Sequence, residues 1–175
     1  RSTPKPSSAA SDVYKRQSLD DKYIFYSKLD ENHRARKIYR HEIGNFLDED
    51  ELIFEEKSEA FTVNISLSSD EKYYFINTSD HNTSEQYYFS VDEDKPNPKL
   101  IIKREKGTLY SVNSWDGKFY NHTNKDAEDF KIDVSDSLEN HQMIKGPPGS
   151  FWYKAHKLKE DINNNKNFFK FGSLF

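Results

Sequence analysis

The 175-residue chain contains no cysteine. Disulfides and thiolate metal sites are therefore excluded, and a reducing compartment such as the cytoplasm is compatible. No stretch approaches the roughly 20 apolar residues of a membrane-spanning helix. No one sign of charge dominates, because 26 Lys and Arg stand against 30 Asp and Glu for a formal net charge of −4. Interspersed signs describe a solvated surface, with no broad pull on nucleic acid or anionic membrane. Only six glycines occur, four of them after residue 110, and no Gly-rich phosphate loop is present. The histidines (His33, His41, His81, His122, His141 and His156) include no His-Glu-x-x-His pair, so no zinc site is read. A Gly-x-Ser-x-Gly nucleophile elbow is missing too. Gly149-Ser150-Phe151 is the nearest piece and lacks the frame. No catalytic, cofactor-binding or metal-ligating residue is assigned.

What the chain does hold is aromatic. Apolar residues make up only 34%, yet there are 13 Phe and 11 Tyr, too many for a chain that never builds a core. Rings of this kind favour strands. Residues 68–92 show them in two runs, Tyr73 to Ile76 and Tyr87 to Phe89, around a polar middle, Asn77 to Gln86. That reads as two strands joined by an exposed loop. Each run is apolar on both faces, so each needs cover on both sides.

Self-alignment supplies that cover. "LDDKYIFY" (19–26), "SSDEKYYFI" (68–76) and "SWDGKFYNH" (114–122) share an acidic turn, a lysine (Lys22, Lys72, Lys118) and aromatic residues. "RKIYRHEIG" (36–44), "EQYYFSVDE" (85–93) and "EDFKIDVSD" (128–136) follow them in turn. "DELIFEEK" (50–57) pairs with "PKLIIKRE" (98–105), and "FTVN" (61–64) with "YSVN" (110–113). Four short strands per unit, repeating every 46 to 50 residues, are the signature of β-propeller blades, whose sheets stack face to face. A β-sandwich, the alternative, needs no fixed period. Asp116-Gly117 is a two-residue hairpin signal. Asp70-Glu71 and Asp20-Asp21 hold the same place, where Asp caps its own turn. On this geometry Tyr23, Ile24, Phe25 and Tyr26 lie partly open at one side of the array, and Phe119 and Tyr120 at the other.

The densest basic patch is His33, Arg34, Arg36, Lys37, Arg40 and His41. One reading is a site for an anion or an acidic partner. The other, favoured by the flanking acids Asp30-Glu31 and Asp48 to Glu51, is a loop and a strand with solvated charges. Four Asn-x-Ser/Thr sequons, at Asn64, Asn77, Asn82 and Asn121, are read as accidental. Residues 1–17, Ser/Pro/Lys-rich and without period, are read as a non-native or disordered lead outside the fold. The strand pattern is lost after Gln142, and "GPPG" (146–149) is a strong breaker. Residues 143–175 are expected to form a divergent tail, irregular or briefly helical over 155–162.

"DENHRARKIYRHEIG" (30–44), "EDELIFEEKSEAF" (49–61), "HNTSEQYYF" (81–89) and "TNKDAEDFKI" (123–132) resemble successive pieces of the N-terminal propeller of the oligopeptidase B branch of the prolyl oligopeptidase family of serine peptidases. Asp30-x-x-His33-Arg34, Thr83-Ser84-Glu85 before an aromatic strand, and Thr123-Asn124 followed by Ala127 and Phe130-Lys131 are the specific elements. Asp129 departs from the usual Asn, and Ser58 from a common acid. The match runs over residues 18–142. It implies an all-β partial propeller, about two and a half four-stranded blades of a seven-bladed one, capping an α/β-hydrolase domain that carries a Ser, Asp, His triad. It further implies cleavage of short peptides after Arg or Lys, gated by the propeller, with no cofactor. The partners it implies are short peptides, the remaining blades and the hydrolase domain, with no nucleic acid and no membrane. No triad residue falls in this chain. A propeller used as a protein-binding scaffold is the alternative. That reading expects Trp-Asp or kelch signatures in each unit, and only Trp115-Asp116 occurs, once, at a turn.

Overall fold

The computed structural model describes residues 15–138. Residues 1–14 of the expected lead, and the whole of the expected tail, lie outside the described residues. Eleven strands form three antiparallel sheets. The first holds β1 (Lys15–Gln17), β2 (Tyr23–Leu29), β3 (Ala35–Glu42) and β4 (Glu51–Glu55). The second holds β5 (Thr62–Leu67), β6 (Tyr73–Ser79), β7 (Ser84–Ser90) and β8 (Lys99–Ile102). The third holds β9 (Tyr110–Trp115), β10 (Lys118–Thr123) and β11 (Lys131–Ser135). Each sheet is a meander whose strands pair in chain order, which is the architecture of a propeller blade. No described helix is long and apolar enough to cross a membrane.

β6 shows why its sequence does not alternate. Tyr74 and Ile76 face the first sheet, in a cluster with Phe25, Ile38, Val63, Ile65 and Phe89. Phe75 faces the third, with Ile101, Tyr110, Val112 and Phe119, and Tyr73 packs beside it. A strand clad on both sides is apolar on both. Phe25 packs, with its ring tilted, against Tyr74 at 4.8 Å and Phe89 at 5.7 Å, and Tyr73 meets Phe119 at 5.5 Å.

The same serine–aspartate pair caps the turn in each of the first two blades. Ser18 Oγ donates to Asp20 at 2.7 Å and accepts the Tyr23 amide at 2.9 Å. Ser68 Oγ donates to Asp70 at 2.8 Å and accepts the Tyr73 amide at 3.0 Å. Asp21 and Glu71 take the left-handed conformation, at φ 60° and 57°. The third blade instead turns on Asp116 (φ 51°) and Gly117 (φ 72°) alone, with Trp115 opposite Lys118. Two left-handed residues in sequence match the twist of the strands they join.

Four expectations change. Lys15–Gln17, placed with the lead, is a strand paired with β2. The third unit is out of register with the lysine alignment, because Phe119 occupies the place of Tyr74. Both face the preceding sheet and pair with the first strand of their own, at Ser114 and Leu67. Its tighter turn shifts Lys118 by one position against Lys72, which in a strand exchanges faces. Phe25 and Phe119, expected partly open, are 3% and 7% exposed, because both point inward at the middle blade. Last, Asn77 to Gln86 is not an exposed loop. β6 runs on to Ser79 and β7 starts at Ser84, leaving only residues 80–83 as a turn. Asp80 closes that turn by accepting the amides of Asn82 and Thr83.

Candidate functional site

Most of the polar run between the two aromatic strands is buried rather than solvated, with Thr78, Thr83, Ser84, Glu85 and Gln86 all inside and only His81 and Asn82 exposed. Its side chains build the seam between the second and third blades. β9 pairs on one side only, with β10. Two of its backbone units are satisfied by side chains from β7. Ser84 Oγ donates to the Tyr110 carbonyl at 2.8 Å and accepts the Tyr110 amide at 2.6 Å. Gln86 treats Val112 as a strand would: Nε2 donates to its carbonyl at 3.0 Å, and Oε1 accepts its amide at 2.7 Å. Only an amide with Oε1 toward the Val112 N–H fits that pair.

The third blade returns the contact. The Tyr110 hydroxyl accepts the Gln86 amide at 2.8 Å and donates to the Ile102 carbonyl at 2.6 Å. It thereby fills the bulge where the β7–β8 register shifts. Burial raises the Tyr110 hydroxyl well above its ordinary pKa. At the turn end, Ser69 and Asp70 clasp the next blade. The Ser69 amide donates to Asn113 Oδ1 at 3.0 Å, and Ser114 Oγ donates to Asp70 Oδ2 at 2.7 Å. Burial pushes the Asp70 carboxyl up. The Ser114 and Ser68 hydroxyls and the Lys72 amide outweigh it, so its pKa falls below the usual carboxylate range.

Beside this seam opens a cleft of about 350 Å³. Asn64, Ser66, Asn77 and Gln86 line one wall, Ser111 and Asn113 the other, over an apolar floor of Leu67, Phe75 and Val112. Asn77 is locked within it. Nδ2 donates to Asn64 Oδ1 at 2.7 Å and to Ser66 Oγ at 3.2 Å, while Oδ1 accepts Gln86 Nε2 at 2.7 Å.

On the seam between the first two blades sits a buried ion cluster. Arg104 Nη2 lies 2.7 Å from Glu56 and 2.8 Å from Glu85, whose side chains are 4% and 5% exposed. Its guanidinium also covers the Phe61 ring at 4.2 Å. Tyr87 donates to Glu85 at 3.0 Å. Burial, with that carboxylate as its acceptor, pushes Tyr87 up to about 12.

The basic patch is not a gathered cation site. Arg36 pairs with Asp30 at 2.7 Å, Lys37 with Glu55 at 3.2 Å, Arg40 with Glu51 at 2.5 Å and His41 with Asp50 at 2.6 Å. Arg34 bonds the Glu59 carbonyl, and His33 is an exposed turn residue at φ 57°. The flanking acids neutralise the patch, as their placement in the sequence suggested. Among the described residues no group of three or more His, Asp or Glu is placed to hold a metal ion.

Ser84, Gln86, Tyr110 and the Arg104 cluster are not read as site residues from sequence, where Ser84 and Glu85 enter only through the Thr83-Ser84-Glu85 resemblance. One signal was available for the first two: the polar run has Asp80 and Asn82 but no Gly or Pro, and Thr78, Thr83 and Ser84 fit strands as well as loops.

A family model for the prolyl oligopeptidase N-terminal β-propeller domain matches residues 18–143. Protease 2 of Moraxella lacunata is 37% identical over 110 residues, 63% of this chain and 16% of that protein. Oligopeptidase B from Trypanosoma brucei, closed and with covalently bound antipain, has a TM-score of 0.66 at 25% identity, over 70% of this chain and 18% of its own. Oligopeptidase B from Leishmania major has a TM-score of 0.67 at 20% identity, over 75% and 19%, a likeness of fold. The chain thus spans less than a fifth of the length of these relatives. The repeat, the stacked meanders and the family match coincide over the same residues, and the chain belongs to the prolyl oligopeptidase family as part of its N-terminal β-propeller domain.

Proposed function

We propose that this chain supplies blades to the propeller of an oligopeptidase B-like serine endopeptidase that cleaves short peptides after Arg or Lys in the cytoplasm. The similarity to Protease 2 carries the reading. In it, residues 15–142 are propeller, with β1 included, and 143–175 a divergent tail. The chemistry belongs to an α/β-hydrolase domain, which with the remaining blades is the chain's partner, and residues of this chain bind no cofactor. Two densely packed blade seams support a gating role, since a wall that does not open sideways admits only what the propeller's channel passes.

Two measurements test this. The chain alone is expected to leave reporter peptides with Arg or Lys before the scissile amide intact, because it presents no nucleophile and base in concert. Turnover by pure chain, abolished by a serine-directed inhibitor, would overturn that. Residues 15–138 exchanged for the matching blades of Protease 2 should give a chimera that cleaves short Arg or Lys peptides and spares a folded protein substrate. A folded chimera without peptidase activity, or one that degrades the folded substrate, counts against the reading.

A further inference from the structure

We propose that the cleft between the second and third blades binds the backbone of an extended peptide. The choice of ligand rests on the peptidase reading; the site itself rests on its walls. Its volume, about 350 Å³, lies in the range of small-molecule pockets, roughly 300–1,000 Å³. About three residues of extended chain span roughly 10 Å. The two walls come from different blades, so the cleft exists only where the blades meet.

The lining is neutral where it is free to bind. Glu85 is the one charged residue in it, and its oxygens are taken by Arg104 and Tyr87. Asn77 and Gln86 spend every amide hydrogen on protein acceptors, within the second blade or on Val112, which makes them a rigid wall. Asn113 is held by Ser69 at 2.8 Å. Three groups keep unused capacity: the Asn64 Nδ2 donor, whose oxygen alone is bonded, the Ser66 hydroxyl hydrogen, and the Ser111 hydroxyl. They offer donors and acceptors from both walls above an apolar floor. A peptide backbone, with one N–H and one C=O per residue and no net charge, matches that arrangement. A free carboxylate or ammonium finds no counter-charge. Pre-locked partners keep the ordering cost low.

The test is binding to the 175-residue chain by side-chain amide NMR. The probe is N-acetyl-triglycine amide, which has neither charge nor side chains. No hydrolysis is read, so the result stands apart from whether the chain serves a peptidase. Saturable shifts of the Asn64, Asn77 and Gln86 side-chain amides are expected. Asn64→Asp keeps the oxygen that Asn77 needs and removes the donor, and should weaken binding about three- to tenfold, the scale of one neutral hydrogen bond. Ser111→Trp, at an exposed position, blocks the cleft without touching the Asn77 network and should abolish the shifts. Absence of shifts in the parent chain overturns the proposal. So do shifts that survive Ser111→Trp, and so does equal saturation by sorbitol, which would assign the cleft to polyols.

Discussion

Arg104 offers the sharpest test of what holds the blades together. Its Nη2 touches carboxylates on both sides of the seam: Glu56 after β4 and Glu85 in β7. The two acids share one guanidinium. Local donors supply the rest, the Ser58 amide to Glu56 at 2.8 Å and the Arg104 amide to Glu85 at 2.9 Å. Arg104→Met keeps most of the stem over Phe61 and removes the charge. Two carboxylates then remain buried and close with no cation between them. Breaking a buried pair in this way costs about 3–5 kcal/mol. The Arg104 side chain is 28% exposed, so water reaches the gap, and the lower end, about 3 kcal/mol, is expected. Urea slopes for small domains are about 1–3 kcal/mol per molar. The midpoint followed by circular dichroism should therefore fall by roughly 1–3 M. Neutralising both acids as well (Arg104→Met with Glu56→Gln and Glu85→Gln) should recover part of the loss. The reasoning fails if Arg104→Met unfolds within about 0.3 M of the parent, or if the triple variant is no better than the single one.

Gln86→Leu removes the side chain that pairs with both Val112 backbone groups, leaving a buried N–H and C=O unmet. At about 1–3 kcal/mol for each such group, a loss of about 2–4 kcal/mol is expected in the same assay, and a change below about 0.5 kcal/mol would refute the role. Asp70 has a depressed folded-state pKa, so its stabilisation is complete above the unfolded value near 3.8 and is lost as pH falls through the folded one. Asp70→Asn should therefore cost stability at pH 6 and progressively less below pH 4, and an equal cost at both sinks the assignment. The outer faces have no neighbouring sheet among the described residues, and they carry Ile24, Tyr26 and Tyr39 on one side and Tyr120 on the other. Open edges and apolar faces invite pairing, so the isolated chain is expected to self-associate through them. A monodisperse monomer on sizing chromatography across the concentration range would contradict that.

Ten of the eleven strands were legible because their sequences carry the cause of their burial. A run such as Tyr73 to Ile76, apolar on both faces, demands a sheet on each side, and a period near 50 residues says the same demand recurs. β1 was not legible. Lys15-Arg16-Gln17 is exposed throughout, and an edge strand needs only one backbone partner, which leaves no pattern in side chains. The third unit slips by one residue against the lysine repeat, because Lys118 is not a fixed mark in the strand. The turn length decides the register, and Asp116-Gly117 makes a tighter turn than Leu19 to Lys22 or Ser69 to Lys72. The seam was hidden for another reason. Ser84, Gln86 and Glu85 are polar, and polarity in a single sequence reads as solvent. What buries Ser84 and Gln86 is the edge of a strand some 26 residues on, whose backbone groups carry no side-chain signature, and what buries Glu85 is the Arg104 cluster. Phe25 and Phe119 are buried because strand alternation holds in the end blades too. One face of each end strand meets the middle blade, and the large ring took that face.

The two seams solve one geometric problem in different ways, and the difference bears on where specificity resides. Both outer strand pairs bulge at equivalent places, between Ile38 and Tyr39 in the first blade and between Gln86 and Tyr87 in the second. In the first blade Ile38, fully buried, sits where Gln86 sits in the second, since each lies opposite its counterpart on the neighbouring strand, Ser27 and Asn77. Val63 stands in the first seam where Tyr110 stands in the next, each paired with a threonine, Thr78 and Thr123. The first seam is thus closed by apolar packing, with the Arg104 cluster at its margin. Apolar contact is strong but tolerant of small shifts, because it depends on area and not on direction. Hydrogen bonds to Tyr110 and Val112 are directional, and a displacement of about 1 Å would break them. The second seam therefore fixes where the third blade sits against the second. A cleft whose walls belong to different blades can hold a defined shape only across such a seam, and the 350 Å³ opening lies there.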